Sequence, residues 1–274
     1  MDFLKPTVFL LFGILLLGPN LCSGQDDAPS THFRTSDPEV KIIPLPVGAD
    51  TKLWKFTPIA DHHDSIVQIV SGDGVGTGVV VSVDKEKRIK NGHQGFCVTA
   101  WHVVSNDQDK GEIGVLFRDG SKAKDCQVVA HDEDADLAIV WVWIPDGIEP
   151  AMLAEEEITG GDNLEFAGLG GGSELTHCLR HFSATASLPS SEEKIFADVP
   201  LLPGDSGGPV FNSNNHLVGV ISGGWFWWDG GVTNEQGNTI SATWPARAAN
   251  LGPIQTLMAK AKSAELTQPE VVNR

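Results

Sequence analysis

Short apolar runs separated by glycine, proline and polar residues make up most of the chain. Valine- and isoleucine-rich runs of about four to eight residues between such breaks are typical of β-strands. The pattern predicts two strands from residue 65 to 82, around a glycine-rich segment at 72–78, and a hairpin from Gly114 onward around the turn at 119–120. Residues 85–93 are mostly polar and are predicted to form a charged loop. Together these patterns indicate an all-β domain.

The apolar spacing changes near the C-terminus. Gly252 and Pro253 open a segment in which apolar residues recur at helical spacing. These residues are Ile254, Leu257, Met258 and Ala261. The spacing predicts a helix, followed by a polar tail at 268–274.

The first 55 residues carry targeting and leader features. Lys5 precedes an almost wholly apolar stretch at 7–18, and small residues at 22–24 suit cleavage, which is typical of a secretory signal peptide at 1–24. An uncleaved membrane anchor is the alternative. Residues 25–55 are polar, contain prolines and are predicted to be extended. The protein is therefore predicted to be secreted or periplasmic, without membrane contact after cleavage.

The composition narrows the choice of partners. The 274 residues are 41% hydrophobic, enough for a large core, and carry a formal net charge of −17. This charge argues against nucleic acid and anionic membranes as partners. The acidic and histidine-containing segment 61–64 has no second cluster that would complete a metal site. We predict no metal and no cofactor, and the sequence leaves the oligomeric state open.

Three cysteines follow the predicted signal peptide, namely Cys97, Cys126 and Cys178. An odd number in an exported chain permits at most one internal disulfide. A Cys97–Cys126 bridge and free thiols are both open alternatives.

The strongest chemical signal is the segment 204–209, which reads GDSGGP and leads into an apolar run. A serine hydroxyl is a weak nucleophile that needs a base, and its attack on a carbonyl needs N–H groups aimed at the oxyanion. Glycines allow the tight backbone that presents such groups. Ser206 is the candidate nucleophile, and the N–H groups of Gly204 and Ser206 are the candidate oxyanion hole. A Gly/Ser-rich turn is the alternative.

Two upstream segments supply a base and a carboxylate. The apolar run at 96–104 contains His102, and Asp136 opens the apolar run 137–140. In a triad of this order, the carboxylate holds the imidazole in the tautomer that accepts the serine proton. Asp136 is preferred to Asp134 because only Asp136 directly precedes the buried run. Its alternative role is that of a turn carboxylate at the start of a strand.

These segments resemble the signature blocks of a known family. TAWH at 99–102, DLA at 136–138 and GDSGGP at 204–209 look like the three blocks of the trypsin-like serine peptidases, and residues 115–140 are similar to the HtrA (DegP-like) branch. The resemblance implies two antiparallel β-barrels and a C-terminal helix packed on the second. His102 and Asp136 would come from the first barrel and Ser206 from the second.

The resemblance also implies domain boundaries. The peptidase domain is expected at 56–250, with barrels at roughly 56–148 and 149–250, and the helix and tail at 251–274. The chain ends without room for the PDZ domain of HtrA-like enzymes, so regulation by such a domain is not expected.

Specificity residues follow from the same resemblance. Pro200 stands where trypsin-like enzymes carry the acid that selects arginine and lysine. Ser222, Gly223 and Gly224 stand in the strand that resembles the one after the serine in this family, where Gly223 replaces the usual tryptophan and the Gly224 backbone is expected to pair with an extended peptide. We therefore predict small or medium apolar side chains at the cleaved position, and these four residues as substrate-binding.

Two features are left open at this point. The zymogen-activation motif of the animal trypsin-like enzymes is absent. In those enzymes, the aspartate that matches Asp205 pairs with the N-terminus created by activation, so the sequence does not indicate what Asp205 pairs with here. The segment 225–228 reads WFWW, and these aromatic residues either grip substrate or cap the barrel.

The residues and the resemblance together predict a serine endopeptidase that hydrolyses peptides or proteins through an acyl-enzyme. Activity is expected to fall in acid, where an ordinary imidazole gains a proton near about pH 6.5. Two alternatives are kept. One is a catalytically silent binding module of the same fold. The other is an α/β-hydrolase esterase, because residues 204–208 also satisfy G-x-S-x-G, although that fold places its aspartate and histidine after the serine.

Overall fold

The computed structural model describes residues 55–57, 64–72, 74–89, 91–105, 113–158, 161–170, 179–186, 194–197, 200–233 and 239–265. The predicted signal peptide, most of the extended segment, residues 61–63, Cys178 and the tail lie outside these residues. For 225–228 the backbone alone is described.

The elements within this part of the chain are mostly strands. In chain order they are β1 (Lys55–Thr57), β2 (Ile66–Ser71), β3 (Gly74–Ile89), β4 (Gly92–Thr99), α1 (Trp101–Val104), β5 (Ile113–Leu116), β6 (Lys122–Asp132), β7 (Leu137–Pro145), β8 (Asn163–Gly168), β9 (Leu179–Thr185), β10 (Lys194–Ala197), β11 (Pro209–Asn212), β12 (Leu217–Thr233), β13 (Thr239–Asn250) and α2 (Leu251–Glu265).

Strands β2 to β7 close into an antiparallel barrel in the order β2-β3-β4-β7-β6-β5. Its interior is filled by alternate apolar residues, as on β5, where Ile113 and Val115 are buried between less buried neighbours. Both predicted hairpins are confirmed, because β2 pairs with β3 and β5 pairs with β6 across the turn that contains Gly120. Asp119 Oδ1 fixes that turn by accepting the Ser121 N–H at 2.8 Å.

The predicted loop at 85–93 is wrong, because β3 runs to Ile89 and β4 begins at Gly92, and the two strands pair again at 88–93 after a register shift between Asp84 and Arg88. Arg88 lies opposite His93 in the ladder, and its side chain forms an ion pair of 2.6 Å with Asp146. Residues 85–88 of β3 are charged and exposed to water. They therefore lack the apolar alternation by which strands are recognised.

The other seven strands form an antiparallel sheet in the order β1-β9-β8-β11-β12-β13-β10. An isolated bridge joins Ala186, directly after β9, to Ala197 on β10, so strands β8 to β13 curve into a second, only partly closed barrel with β1 outside it. The predicted all-β class with two antiparallel barrels and a C-terminal helix is confirmed. The α/β-hydrolase alternative is wrong, because that fold requires a parallel sheet with intervening helices.

Helix α2 packs mainly against β6 and β7 of the first barrel, with lesser contact to β12 and β13. The expectation that it packs on the second barrel is therefore wrong. Its apolar residues Ile254, Leu257 and Met258 join one core with residues of both barrels, such as Leu137 and Val220, because that core lies where the barrels meet. Among the described residues, no helix is both long and apolar enough to cross a membrane.

Cys97 and Cys126 are buried free thiols in the interior of the first barrel. Burial raises the pKa of both thiols, and with Asp125 nearby the pKa of Cys126 reaches about 12. The open question of a Cys97–Cys126 bridge is thus answered by two reduced, protonated cysteines that act as core residues.

Candidate active site

His102 lies on the single turn of helix α1, directly after strand β4. The Trp101 N–H donates to the Asp136 carbonyl at 3.1 Å, so the turn is fixed to the loop between β6 and β7. Trp101 also stacks on the His131 ring, with centroids 4.0 Å apart. The position of His102 is therefore set by backbone and ring contacts around it.

Asp136 faces His102 from the start of β7, with a positive φ of 55°. Its carboxylate oxygens lie 2.8 Å and 3.1 Å from His102 Nδ1, and Oδ1 also accepts the His102 backbone N–H at 3.0 Å. An ionised carboxylate can only accept, so Nδ1 carries the proton and Nε2 is left as the acceptor. This is the tautomer that a general base requires. The structure thus brings these two predicted residues together, and it leaves Asp134 exposed on the same loop.

The environment keeps Asp136 ionised. Burial by itself raises the pKa of this carboxyl, but hydrogen bonds from His102, the His102 charge and a hydrogen bond from Ser222 together hold the pKa below its usual range. Asp136 is therefore an acceptor at neutral pH.

Ser222 was predicted to bind substrate, but its side chain is directed at Asp136, to which it donates at 2.6 Å. The reason is a β-bulge on β12. Ile221 and Gly223 pair with the consecutive residues Ala248 and Arg247, so Ser222 is an extra residue turned out of the ladder. Sequence patterns do not reveal a bulge of this kind.

The serine loop, residues 204–208 before β11, is held by its carbonyl groups. Thr77 N–H donates to the Ser206 carbonyl at 2.8 Å, and Thr77 Oγ1 donates to the Gly204 carbonyl at 2.7 Å. Gly204 and Gly207 have φ values of 99° and 85°, which favour glycine, and a Cβ at Gly207 would lie 2.0 Å from the Thr77 carbonyl oxygen. The two glycines are thus required by backbone conformation and close approach.

The N–H groups of the same loop are used unequally. Those of Asp205, Gly207 and Gly208 donate to carbonyl groups of the protein. In the part of the chain that the structure describes, no acceptor takes the N–H of Gly204 or Ser206. These are the two N–H groups that were predicted to bind an oxyanion.

Thr77 is a site residue that sequence reasoning missed. Its hydroxyl also accepts the Leu169 N–H at 3.0 Å, and its carbonyl accepts the Thr99 hydroxyl at 2.7 Å. Thr77 and Thr99 are both fully buried. This pair, called here the threonine clamp, links β3, the end of β4 before His102 and the serine loop. The threonine inside the glycine run at 74–78 was the available signal.

We expect Thr77→Val to lower kcat about 10- to 100-fold with little change in KM. Valine keeps the shape but leaves the Gly204 carbonyl and the Leu169 N–H without their hydroxyl partner, so the loop loses its orientation. Thermal unfolding should show a loss of about 1–3 kcal/mol. Thr77→Ser keeps the hydroxyl and is the matched control. A kcat for Thr77→Val equal to that of the wild type would contradict the role of the clamp.

Contacts of two glycines show how close the serine loop is to the histidine turn. A Cβ on Gly76 would lie 2.7 Å from Val103, next to His102, and 3.2 Å from the Ser206 carbonyl oxygen. A Cβ on Gly207 would lie 3.0 Å from the Ala100 nitrogen. The loop therefore packs against the turn that carries His102. The hydrogen bonds of the described residues do not include one between Ser206 and His102.

Asp205, within the serine loop, is fully buried. Its carboxylate accepts the Gly170 N–H at 2.9 Å and the Leu202 N–H at 2.8 Å. The partner of Asp205, which the sequence left open, therefore includes two backbone N–H groups. Such donors can stabilise a buried carboxylate in place of a cation.

The remaining substrate-binding candidates lie along one edge. Leu201, next to the buried Pro200, forms a bridge with Thr243, which also packs directly against Gly224. On the side of β12 that faces β11, pairing ends at Ile221, which bonds to Gly207 and Gly208, so among the described residues the edge from Ser222 to Gly224 has no partner strand there. An extended peptide can pair with such an edge.

The chain is similar to proteins of known sequence and structure. The family model described as trypsin-like peptidase domain matches residues 76–220, more than half of the chain. "Protease Do-like 1, chloroplastic" of Arabidopsis thaliana is 25% identical over 78% of this chain and 48% of its own length. "Probable periplasmic serine endoprotease DegP-like" of Hahella chejuensis is 31% identical over 69% of this chain and 41% of its own.

Solved structures share the fold. An inactive Ser343Ala mutant form of Rv3671c from Mycobacterium tuberculosis has a TM-score of 0.51 at 20% identity and covers 84% of this chain and 98% of that one. The serine endoprotease from Yersinia pestis has a TM-score of 0.53 at 16% identity, covering 80% and 67%. The chain spans less than half the length of the curated relatives described above.

Proposed function

Because the chain belongs to the trypsin-like peptidase family, with HtrA/DegP-like relatives, we propose that it is a serine endopeptidase that uses Ser206, His102 and Asp136. The observation that carries the proposal is the His102–Asp136 pair, hydrogen bonded at 2.8 Å beside a serine loop with two available N–H groups. A surface turn would have no use for a partly buried acid that fixes an imidazole tautomer.

The chemistry proceeds in two balanced steps. Ser206 Oγ attacks the peptide carbonyl carbon while its proton passes to His102 Nε2, and the N–H groups of Gly204 and Ser206 stabilise the oxyanion. His102 returns that proton to the leaving amine as the C–N bond breaks, which leaves an acyl-serine. A water then gives its proton to His102 and its oxygen to the acyl carbon, and the proton returns to Ser206.

Substrate class and location are part of the proposal. The unpaired edge at Ser222–Gly224 suits an extended peptide or protein substrate, and a preference for small or medium apolar side chains follows from Pro200 at the expected acid position. Export through the predicted signal peptide at 1–24 agrees with relatives named as periplasmic. The domain boundaries predicted from the sequence stand as part of the same proposal.

A fluorophosphonate probe tests the proposal directly. We expect Ser206 to react in the wild-type chain, and Ser206→Ala to show no labelling. The neighbouring Ser213→Ala, on the exposed turn after β11, should label as the wild type does. Intact-protein mass identifies one added phosphonyl group. A folded wild-type chain that does not react would favour the alternative, a catalytically silent binding module.

A further inference from the structure

Arg247 lies on β13 directly opposite Gly223 of β12. Its side chain is half-buried, and Nη2 donates to Ser222 Oγ at 2.9 Å. Among the described residues, no carboxylate forms an ion pair with this guanidinium. Arg247 is half-buried and bonds to the Ser222 hydroxyl, which in turn bonds to the His102–Asp136 pair. Such a placement is not that of an ordinary surface charge.

The chemistry of the three groups fixes the direction of their hydrogen bonds. A guanidinium only donates, so Ser222 Oγ must accept from Arg247. An ionised carboxylate only accepts, so the single hydroxyl proton of Ser222 must point at Asp136 Oδ2, 2.6 Å away. The hydrogen bonds therefore converge on Asp136: Arg247 donates to Ser222, Ser222 donates to Asp136, and His102 Nδ1 donates to the same carboxylate from the other side.

The bulge makes this chain possible. Because Ser222 is the extra residue between Ile221 and Gly223, its side chain leaves the ladder toward Asp136. Gly223 has no side chain, and apart from its two chain neighbours no residue has an atom within 4 Å of the position of a Cβ there. The Arg247 side chain, on the same face as Gly223 in the antiparallel pair, meets no side chain from its cross-strand partner.

We infer that Arg247 is a positioning residue, which acts through Ser222 to hold the Asp136 carboxylate in the orientation that fixes His102. Without Arg247, the Ser222 hydroxyl is free to rotate toward water or a carbonyl group. Asp136 then keeps only the hydrogen bonds from His102, and the imidazole loses part of its alignment. This inference rests on the proposed function for its kinetic readout, but its structural readout is independent of catalysis.

The kinetic test combines Arg247→Met with Ser222→Ala. Each single variant should lower kcat about tenfold and leave KM within about twofold, because the hydrogen bond that is lost positions a catalytic group rather than substrate. In the Ser222→Ala background, Arg247→Met should have no further effect, because the residue through which it acts is already removed. Arg247→Lys keeps a cationic donor and should restore part of kcat. Arg118→Met, at the distant ion pair with Asp64, is the matched control.

Two kinetic results would overturn the inference. One is a full effect of Arg247→Met in the Ser222→Ala background. The other is a rise in KM, confined to peptides with an acidic side chain near the cleaved bond, at unchanged kcat. In that case Arg247 binds substrate directly.

The structural test uses Ser206→Ala protein, which needs no activity. The Nδ1 proton of His102, assigned by its loss in His102→Gln, should move toward the resonance position of an ordinary imidazole and exchange faster with solvent when Arg247→Met is added. An unchanged resonance would overturn the inference. If this resonance responds as expected but the wild type fails to react with fluorophosphonate, the proposed function fails while the positioning role of Arg247 stands.

Discussion

His102→Ala is expected to lower kcat/KM for peptide hydrolysis by about 10⁴- to 10⁶-fold, the range found when the base of a Ser-His-Asp triad is removed. Ser206 then has no acceptor for its proton, and the leaving amine has no donor. The substitution also leaves the Asp136 carboxylate without its imidazole partner, because His102 Nδ1 lies 2.8 Å from Asp136 Oδ2 in the wild type. The measurement is steady-state hydrolysis of a peptide library with an apolar residue at the cleaved position.

The control for this variant is His216→Ala. His216 lies on the turn between β11 and β12, where its backbone N–H bonds to Asn212 Oδ1, and it takes no part in the proposed chemistry. We expect its activity to equal that of the wild type. Hydrolysis by His102→Ala within about tenfold of the wild-type rate would end the case for His102 as the base.

Asp136→Asn is expected to lower kcat by about 10⁴-fold while the fold is retained. An amide NH₂ placed at Oδ2 would face the Nδ1 proton of His102, and two donors cannot bond to each other. The imidazole would therefore adopt the other tautomer, in which Nε2 carries the proton and cannot accept one from Ser206. The amide also no longer stabilises the imidazolium that forms during the reaction. Hydrolysis rates measured at neutral pH, with circular dichroism as the check on folding, test this expectation.

Asp134→Asn is the matched control, because Asp134 is an exposed carboxylate on the same loop. It should leave kcat unchanged. Equal losses in the two variants would show that the charge of the loop matters rather than the His102–Asp136 contact.

The Asp136 carboxylate also makes the stability of the folded protein depend on pH. Because the pKa of Asp136 is lower in the folded state, its ionised form contributes stability that is present above the ordinary pKa of an unfolded aspartate and is lost as pH falls through the folded value. The difference in unfolding free energy between the wild type and Asp136→Asn should therefore shrink below about pH 4. A difference that stays constant down to pH 2 would contradict the bonded state described above.

Patterns within short windows were enough for much of the fold. The alternating apolar residues of β5 and the glycine turn at 119–120 predicted their hairpin, and the helical spacing after Pro253 predicted α2. The same short windows failed at 85–93, where residues 85–88 of β3 are consecutive charged and exposed side chains. Burial, which produces the recognisable alternation, is absent there.

The candidate residues of the triad were also named from the sequence, and their catalytic role stays a prediction. A nucleophile between glycines, a histidine after an apolar strand and an aspartate before another carry their chemistry in residue type and order. Oxyanion donors could be named in the same way, since they belong to the backbone of the same loop.

Only the tertiary structure decided how these groups are supported. The bond from Thr77 to Gly204 joins residues 127 positions apart, and the bond from Ser222 to Asp136 joins residues 86 apart. Neither contact leaves a periodic trace in the sequence, because each depends on how two barrels meet and on one bulge that turns a side chain out of its ladder. The sequence therefore determined which chemical groups are present, whereas the packing of the two barrels against each other determined how those groups are oriented.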